Sequence, residues 1–231
     1  MKTIKRYFTQ SDWVLLFLCM SCSAMSVTVL ISYGLYQQGG WRDAIVQGAA
    51  SLLGIVGALI LSRIDYRLLA NVWPVHVVLT WGLVLLTLVK NKTIGPITLG
   101  YAPSGTENYS WIRVGPLSLQ PTELAKISFI LTFAMHLDNV REKVNQPAVL
   151  AKLLLHILVP AALIHIQGDD GTVLIFLSIG AVMLFSAGIS LRYVFGAITL
   201  AVCGVAAMLV TGKGLSSYQI QRVMALYDSS L

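Results

Sequence analysis

Two short strings hold most of the residues that could do chemistry. In Gln120-Pro121-Thr122-Glu123-Leu124-Ala125-Lys126 an acid and a base stand three residues apart. On a helix that spacing puts them on one face, close enough to pair. Pro121 and Thr122 suit a helix start, with Thr122 as its cap. Glu123 then falls in the first turn, where the helix dipole favours a carboxylate. An ion pair at an ordinary helix start and a charged lining for a polar cavity both fit this string. In Gln167-Gly168-Asp169-Asp170-Gly171-Thr172 two acids flanked by glycines separate long apolar runs. A solvated tight turn explains it. The chemical alternative is a carboxylate pair facing a cation or a polar substrate.

Other candidates carry less. Cys19 and Cys22 spell C-x-x-C inside an apolar run, with no strand–helix context, and Cys203 stands apart. Small packing residues explain all three, and no disulfide framework is implied. His76, His136, His156 and His165 show no ligand spacing and read as polar helix contacts. No metal site is expected. Asn108-Tyr109-Ser110 fits a glycosylation sequon, a match frequent by chance. Phosphate-loop and nucleophile-elbow patterns are absent from the sequence.

The elements that must position these residues are membrane helices. Of 231 residues 56% are hydrophobic and 11% charged, and the mean hydropathy is +0.76. An average soluble domain is about 45–50% apolar and about 25% charged. The apolar runs are continuous rather than alternating, which excludes a transmembrane barrel. The expected fold is an all-α, polytopic membrane helix bundle, a single domain over residues 1–231 with about seven spans. Their expected bounds are Trp13–Tyr36, Ala44–Ser62, Val72–Val89, Glu123–Leu137, Val149–Ile166, Thr172–Ala187 and Tyr193–Val210. The first is too long for a signal-peptide core. Residues 90–121 read as one long polar loop. Ala50, Gly54 and Ala58 repeat every fourth residue, which lets helices approach closely in lipid.

Lys and Arg set the orientation. With the N-terminus cytoplasmic, the inner segments hold Lys2, Lys5, Arg6, Arg63, Arg67, Arg141, Lys143, Lys152 and Arg192. The outer ones hold Arg42, Lys90, Lys92, Arg113, Lys213 and Arg222. The bias favours this arrangement and puts the long loop outside. It also accounts for the net charge of +6 and pI near 9.3 without nucleic acid. Ser62–Arg67, with alternating charges and Tyr66, reads as an interfacial anchor.

At these motifs the sequence resembles the SEDS family (shape, elongation, division and sporulation), the RodA/FtsW/SpoVE proteins, and among them the RodA-like ones. Asp12-Trp13, Arg63-Ile64-Asp65-Tyr66-Arg67 and Ser110-Trp111-Ile112-Arg113-Val114-Gly115 carry the resemblance. So do Gln221-Arg222-Val223 and, most specifically, Leu119-Gln120-Pro121-Thr122-Glu123-Leu124-Ala125-Lys126. The family's hairpin reads Gln-Pro-Asp-Leu-Gly-Thr. Gln167, Asp169, Gly171 and Thr172 fit it, while Gly168 replaces proline and Asp170 replaces leucine. The lost proline and added charge are expected to loosen the turn.

The resemblance implies peptidoglycan glycosyltransfer: polymerisation of lipid II at the outer face of the bacterial inner membrane, beside a class B penicillin-binding protein. It implies an outer cavity lined by Trp111, Arg113, Gln120, Glu123, Lys126 and Asp169. Lys126 and Arg113 would contact the pyrophosphate. Trp111 would stack on a sugar, and Asp169 would position a sugar hydroxyl or a divalent cation. No other cofactor is implied. The family has about ten helices, and its proposed catalytic aspartate follows the seventh in a stretch near His-Thr-Asp-Phe. Leu231 stands where that outer loop begins, so the chain reads as an N-terminal portion. Asp228 lacks the motif and no catalytic base is assigned. The expectation is no polymerase activity from this polypeptide alone. The alternatives are a non-catalytic scaffold or lipid II-binding paralogue and, further off, a small transporter, against which the lack of an internal repeat counts.

Overall fold

The computed structural model describes residues 12–36, 41–103, 106–115 and 117–211. The chain divides into two compact units, Met1–Asn71 and Val72–Leu231.

The first unit is built on α1 (Trp13–Tyr36) and α2 (Trp41–Leu61), followed by the short α3 (Tyr66–Asn71). Asp12 caps α1, its carboxylate accepting from the Leu15 amide at 2.9 Å. Helices α1 and α2 pack against each other, and Ala50, Gly54 and Ala58 stand on the side of α2 that faces α1. They line an open groove of about 920 Å³ against Trp13, Leu16 and Met20, and nothing lies within 4 Å of where a Gly54 Cβ would stand.

The second unit runs α4 (Trp73–Thr87), a four-stranded sheet, α5 (Pro121–Asn139), a 3-10 turn (Arg141–Lys143), α6 (Pro147–Ile166), α7 (Asp170–Ser186) and α8 (Leu191–Thr211). Its core joins Val84 of α4, Phe129 and Phe133 of α5, Leu153, Ile157 and Ile164 of α6, and Phe176 of α7. Phe129 stacks on Phe133 with centroids 5.4 Å apart and meets Phe176 at 5.2 Å. Gly180 lets α7 close on α6, since a Cβ there would stand 2.7 Å from Ile157.

The sheet corrects the expectation of an all-α chain with one long polar loop. Strands β1 (Lys92–Ile94), β2 (Ile97–Tyr101), β3 (Trp111–Val114) and β4 (Leu117–Leu119) pair in sequence order, each antiparallel to the next. Ile94 faces Ile97 across the two-residue turn Gly95-Pro96. Gly95 has φ +59°, the positive value that the first central residue of a II′ turn requires. Val114 and Leu117 face each other in the same way. Lys90 and Asn91, both in the left-handed region, turn the chain from α4 into β1.

Helix bounds shift by a few residues from the expected spans. Among the described residues three helices are long and apolar enough to cross a membrane: Trp13–Tyr36, Trp41–Leu61 and Pro147–Ile166. The 15 residues of α4 extend about 22 Å at ~1.5 Å each, against a hydrocarbon core of about 30 Å. In α5, Glu123, Lys126 and Asp138 lower the hydropathy.

Candidate functional site

Two of the expected site residues, Gln120 and Asp169, meet where α4 and α6 end and α5 and α7 begin. Gln167 follows α6 and is buried; its side-chain amide donates to Val84 O at 3.0 Å and Thr87 Oγ1 at 2.6 Å, both in α4. Its carbonyl accepts from the Tyr109 amide at 2.8 Å, which holds the loop before β3 against this turn. Gly168 has φ +83°, and a Cβ on it would collide with the Glu107 carbonyl. Only glycine fits this position. The substitution of Gly168 for proline was expected to loosen the turn. The structure shows instead a close approach that depends on it.

Asp169 is the hub. It caps α7, with Oδ1 accepting from the Thr172 amide at 3.2 Å. Oδ2 accepts from Gln120 Nε2 at 2.6 Å and from Ser110 Oγ at 3.1 Å. Gln120 also donates to Ser110 Oγ at 3.1 Å, using its second amide proton. Ser110 Oγ faces both Asp169 and Asn108 Oδ1, and its single proton serves one of them at a time. Asp169 is 7% exposed. A buried carboxylate is stable only with such donors. It therefore ties together three segments: the loop entering β3, the start of α5 and the start of α7. Asp170 pairs with His165 at 2.6 Å on the surface.

Proline explains the entry to α5. Gln120 precedes Pro121 and is extended (φ −100°, ψ 107°), as residues before proline prefer. Its side chain is thereby free to reach Asp169. Thr122 was expected to cap this helix. It lies inside the first turn instead, and its hydroxyl is buried with no hydrogen-bond partner. Glu123 and Lys126 form the expected pair at 2.8 Å, with Lys126 mostly buried and Glu123 mostly exposed.

Trp111 and Arg113 sit on one face of β3, two residues apart. The Arg113 guanidinium lies over the Tyr101 ring at 4.9 Å, and its Nε donates to Gly115 O at 3.1 Å. The structure thus unites Gln120 with Asp169, and Glu123 with Lys126. Among the described residues no hydrogen bond or ion pair joins Arg113 to Lys126. Asn108, Ser110, Gln167 and Thr87 belong to the cluster and were not picked out as site residues.

The histidines make polar helix contacts. His136 Nδ1 meets His156 Nδ1 at 3.1 Å between α5 and α6, and His76 meets Ser128 at 2.8 Å. No group of three or more metal-ligating side chains occurs among the described residues.

The family described as "cell cycle protein", FtsW/RodA/SpoVE, matches residues 9–230. A probable peptidoglycan glycosyltransferase FtsW of Geobacter metallireducens is 30% identical over 208 residues, covering 87% of this chain and 52% of its own. A similarly named FtsW of Allochromatium vinosum is 33% identical over 188 residues, covering 81% and 43%. The peptidoglycan glycosyltransferase RodA of Treponema pallidum is 29% identical over 191 residues, covering 81% and 41%. The chain spans about half the length of these curated relatives. No solved structure gives a significant match. Apolar helices of spanning length, the Gln120–Lys126 helix entry and the Gln167–Thr172 turn all agree with the match: the chain is a membrane protein of the FtsW/RodA/SpoVE (SEDS) family.

Proposed function

We propose that this chain serves peptidoglycan synthesis in cell shape or division, and that the Asp169 cluster organises a surface for the lipid-linked precursor lipid II. It sits in the bacterial inner membrane with about seven spans, the N-terminus cytoplasmic and the sheet outside. Alongside it stands a class B penicillin-binding protein. Family membership supports the substrate class.

The observation that carries the reading is the buried Asp169 carboxylate holding Ser110 and Gln120. Trp111 directly follows Ser110, and Lys126 lies in the second turn of the helix that follows Gln120. One buried acid thus fixes the roots of both the aromatic and the cationic candidates. Lys126 would meet the pyrophosphate with a charge already desolvated in part, which strengthens such a contact. Arg113 adds a second cation, and Trp111 a flat face for a sugar ring. Glu123 orients Lys126. Asp169 is a positioning residue here, because three donors already converge on its two oxygens.

Native mass spectrometry of the chain in lipid nanodiscs tests this, with lipid II and phosphatidylglycerol as competing ligands. Retention of lipid II that falls about tenfold in Lys126→Ala, with phosphatidylglycerol unchanged, is the expected result; tenfold corresponds to ~1.4 kcal/mol. Equal loss of both lipids, or of neither, would remove Lys126 from the site.

A further inference from the structure

The pairing register divides the sheet into two unlike faces. Thr93, Thr98, Arg113 and Ser118 stand opposite one another in a single cross-strand row, so they share one face, and that face is polar. The next row is Ile94, Ile97, Val114 and Leu117, all on the other face. Their exposures are 58%, 37%, 46% and 65%. Four apolar side chains in one row are therefore open, while Ile112 and Leu99 on the same face are drawn in.

The sheet is also held against α4 and joined to α5. Strand β1 begins five residues after α4 ends, and β4 ends two residues before α5 begins. A Cβ on Gly100 would collide with Thr87 O, so β2 lies against the last turn of α4. The stretches that join the helices to the strands carry further exposed apolar side chains, Leu86, Val89, Leu119 and Leu124. Lys92 is exposed beside them, while the exposed Lys90 lies over the Tyr109 ring at 4.9 Å. Lys92 shares the apolar face, where its stem can lie along hydrocarbon while the ammonium reaches a phosphate.

We infer that this face is a lipid-docking surface. The open row of Ile94, Ile97, Val114 and Leu117 lies in the acyl–headgroup boundary, and Lys92 meets a lipid phosphate. Three features favour lipid as the occupant: tethering at both ends to helices of a membrane protein, further exposed apolar side chains at both junctions, and a cation on the apolar face. Such docking holds the polar face, with Trp111 and Arg113, toward water.

Spin labels on the full chain test the inference. The native Cys19, Cys22 and Cys203 are replaced by alanine, and single cysteines are introduced as Leu117→Cys, Val114→Cys, Ser118→Cys and Thr98→Cys. Ile127→Cys, exposed on α5, is the comparison position. The protein is reconstituted in vesicles of phosphatidylethanolamine and phosphatidylglycerol, and label collisions with oxygen and with a water-soluble nickel chelate are measured. The oxygen-to-nickel ratio at 114 and 117 is expected to exceed that at 98 and 118 by about threefold or more, as a site in the interface would. A ratio at 117 equal to that at 118 would place the face in water and overturn the inference. Low collision with both reagents at 117 would overturn it equally, by showing a protein cover such as a second copy or another chain.

Discussion

Replacing Asp169 by alanine removes a helix cap and two side-chain hydrogen bonds at once. A lost cap costs about 0.5–2 kcal/mol, and each hydrogen bond to a charged group contributes about 1.5–3 kcal/mol. These do not add fully, because water enters as the cluster opens. A net loss of about 3 kcal/mol is a conservative sum, equal to about a hundredfold in the opening equilibrium. Amide hydrogen exchange in nanodiscs reads that equilibrium segment by segment. The Tyr109 amide, bonded to Gln167 O, is expected to lose about a hundredfold in protection in Asp169→Ala. Asparagine caps helices as well as aspartate does, so in Asp169→Asn the Thr172 amide keeps its protection while Tyr109 loses about tenfold. Unchanged exchange at Tyr109 in Asp169→Ala would refute the argument. So would identical behaviour of the two variants at Thr172.

Gly168→Ala should loosen the same turn, because a left-handed alanine costs about 1–2 kcal/mol and its methyl displaces Glu107; proteolysis within residues 106–110 would report it. Gly180→Val drives a branched side chain into Ile157 and should cost about 1–3 kcal/mol, read as a lower midpoint of thermal unfolding in detergent. Glu123→Gln removes an exposed i,i+3 partner, so the same unfolding midpoint should move little, as fits about 0.2–0.5 kcal/mol. Phe129→Ala empties the centre of the aromatic cluster and should cost about 3–5 kcal/mol in the same measurement.

Continuous apolar runs made the helices legible, because a spanning or buried helix needs length and hydrophobicity and little else. The Glu123–Lys126 pair was legible for a similar reason: it depends only on helical spacing. The sheet was missed because its strands are three to five residues long and carry no extended alternation. A signal was nonetheless present. Thr93–Leu99 reads TIGPITL and Arg113–Leu119 reads RVGPLSL, two copies of one hairpin pattern around Gly-Pro. The Asp169 cluster could not be read from spacing at all. Ser110 and Gln120 lie 59 and 49 residues away from it, and only the packing of α4 to α7 brings them together. Gly168 looked like a weakened turn for the same reason, since the Glu107 carbonyl that requires a glycine there is distant in sequence.

The central claim is that Asp169 positions a lipid II-binding surface without touching the ligand. Lipid II affinity in nanodiscs tests it most directly, comparing the unaltered chain with Asp169→Ala, Asp169→Asn and, in the 3-10 turn that follows α5, Glu142→Gln. The account predicts a loss of about tenfold or more for Asp169→Ala, a smaller loss for Asp169→Asn, and no change for Glu142→Gln. Lipid II affinity in Asp169→Ala equal to that of the unaltered chain, with the Tyr109 amide deprotected, would contradict it.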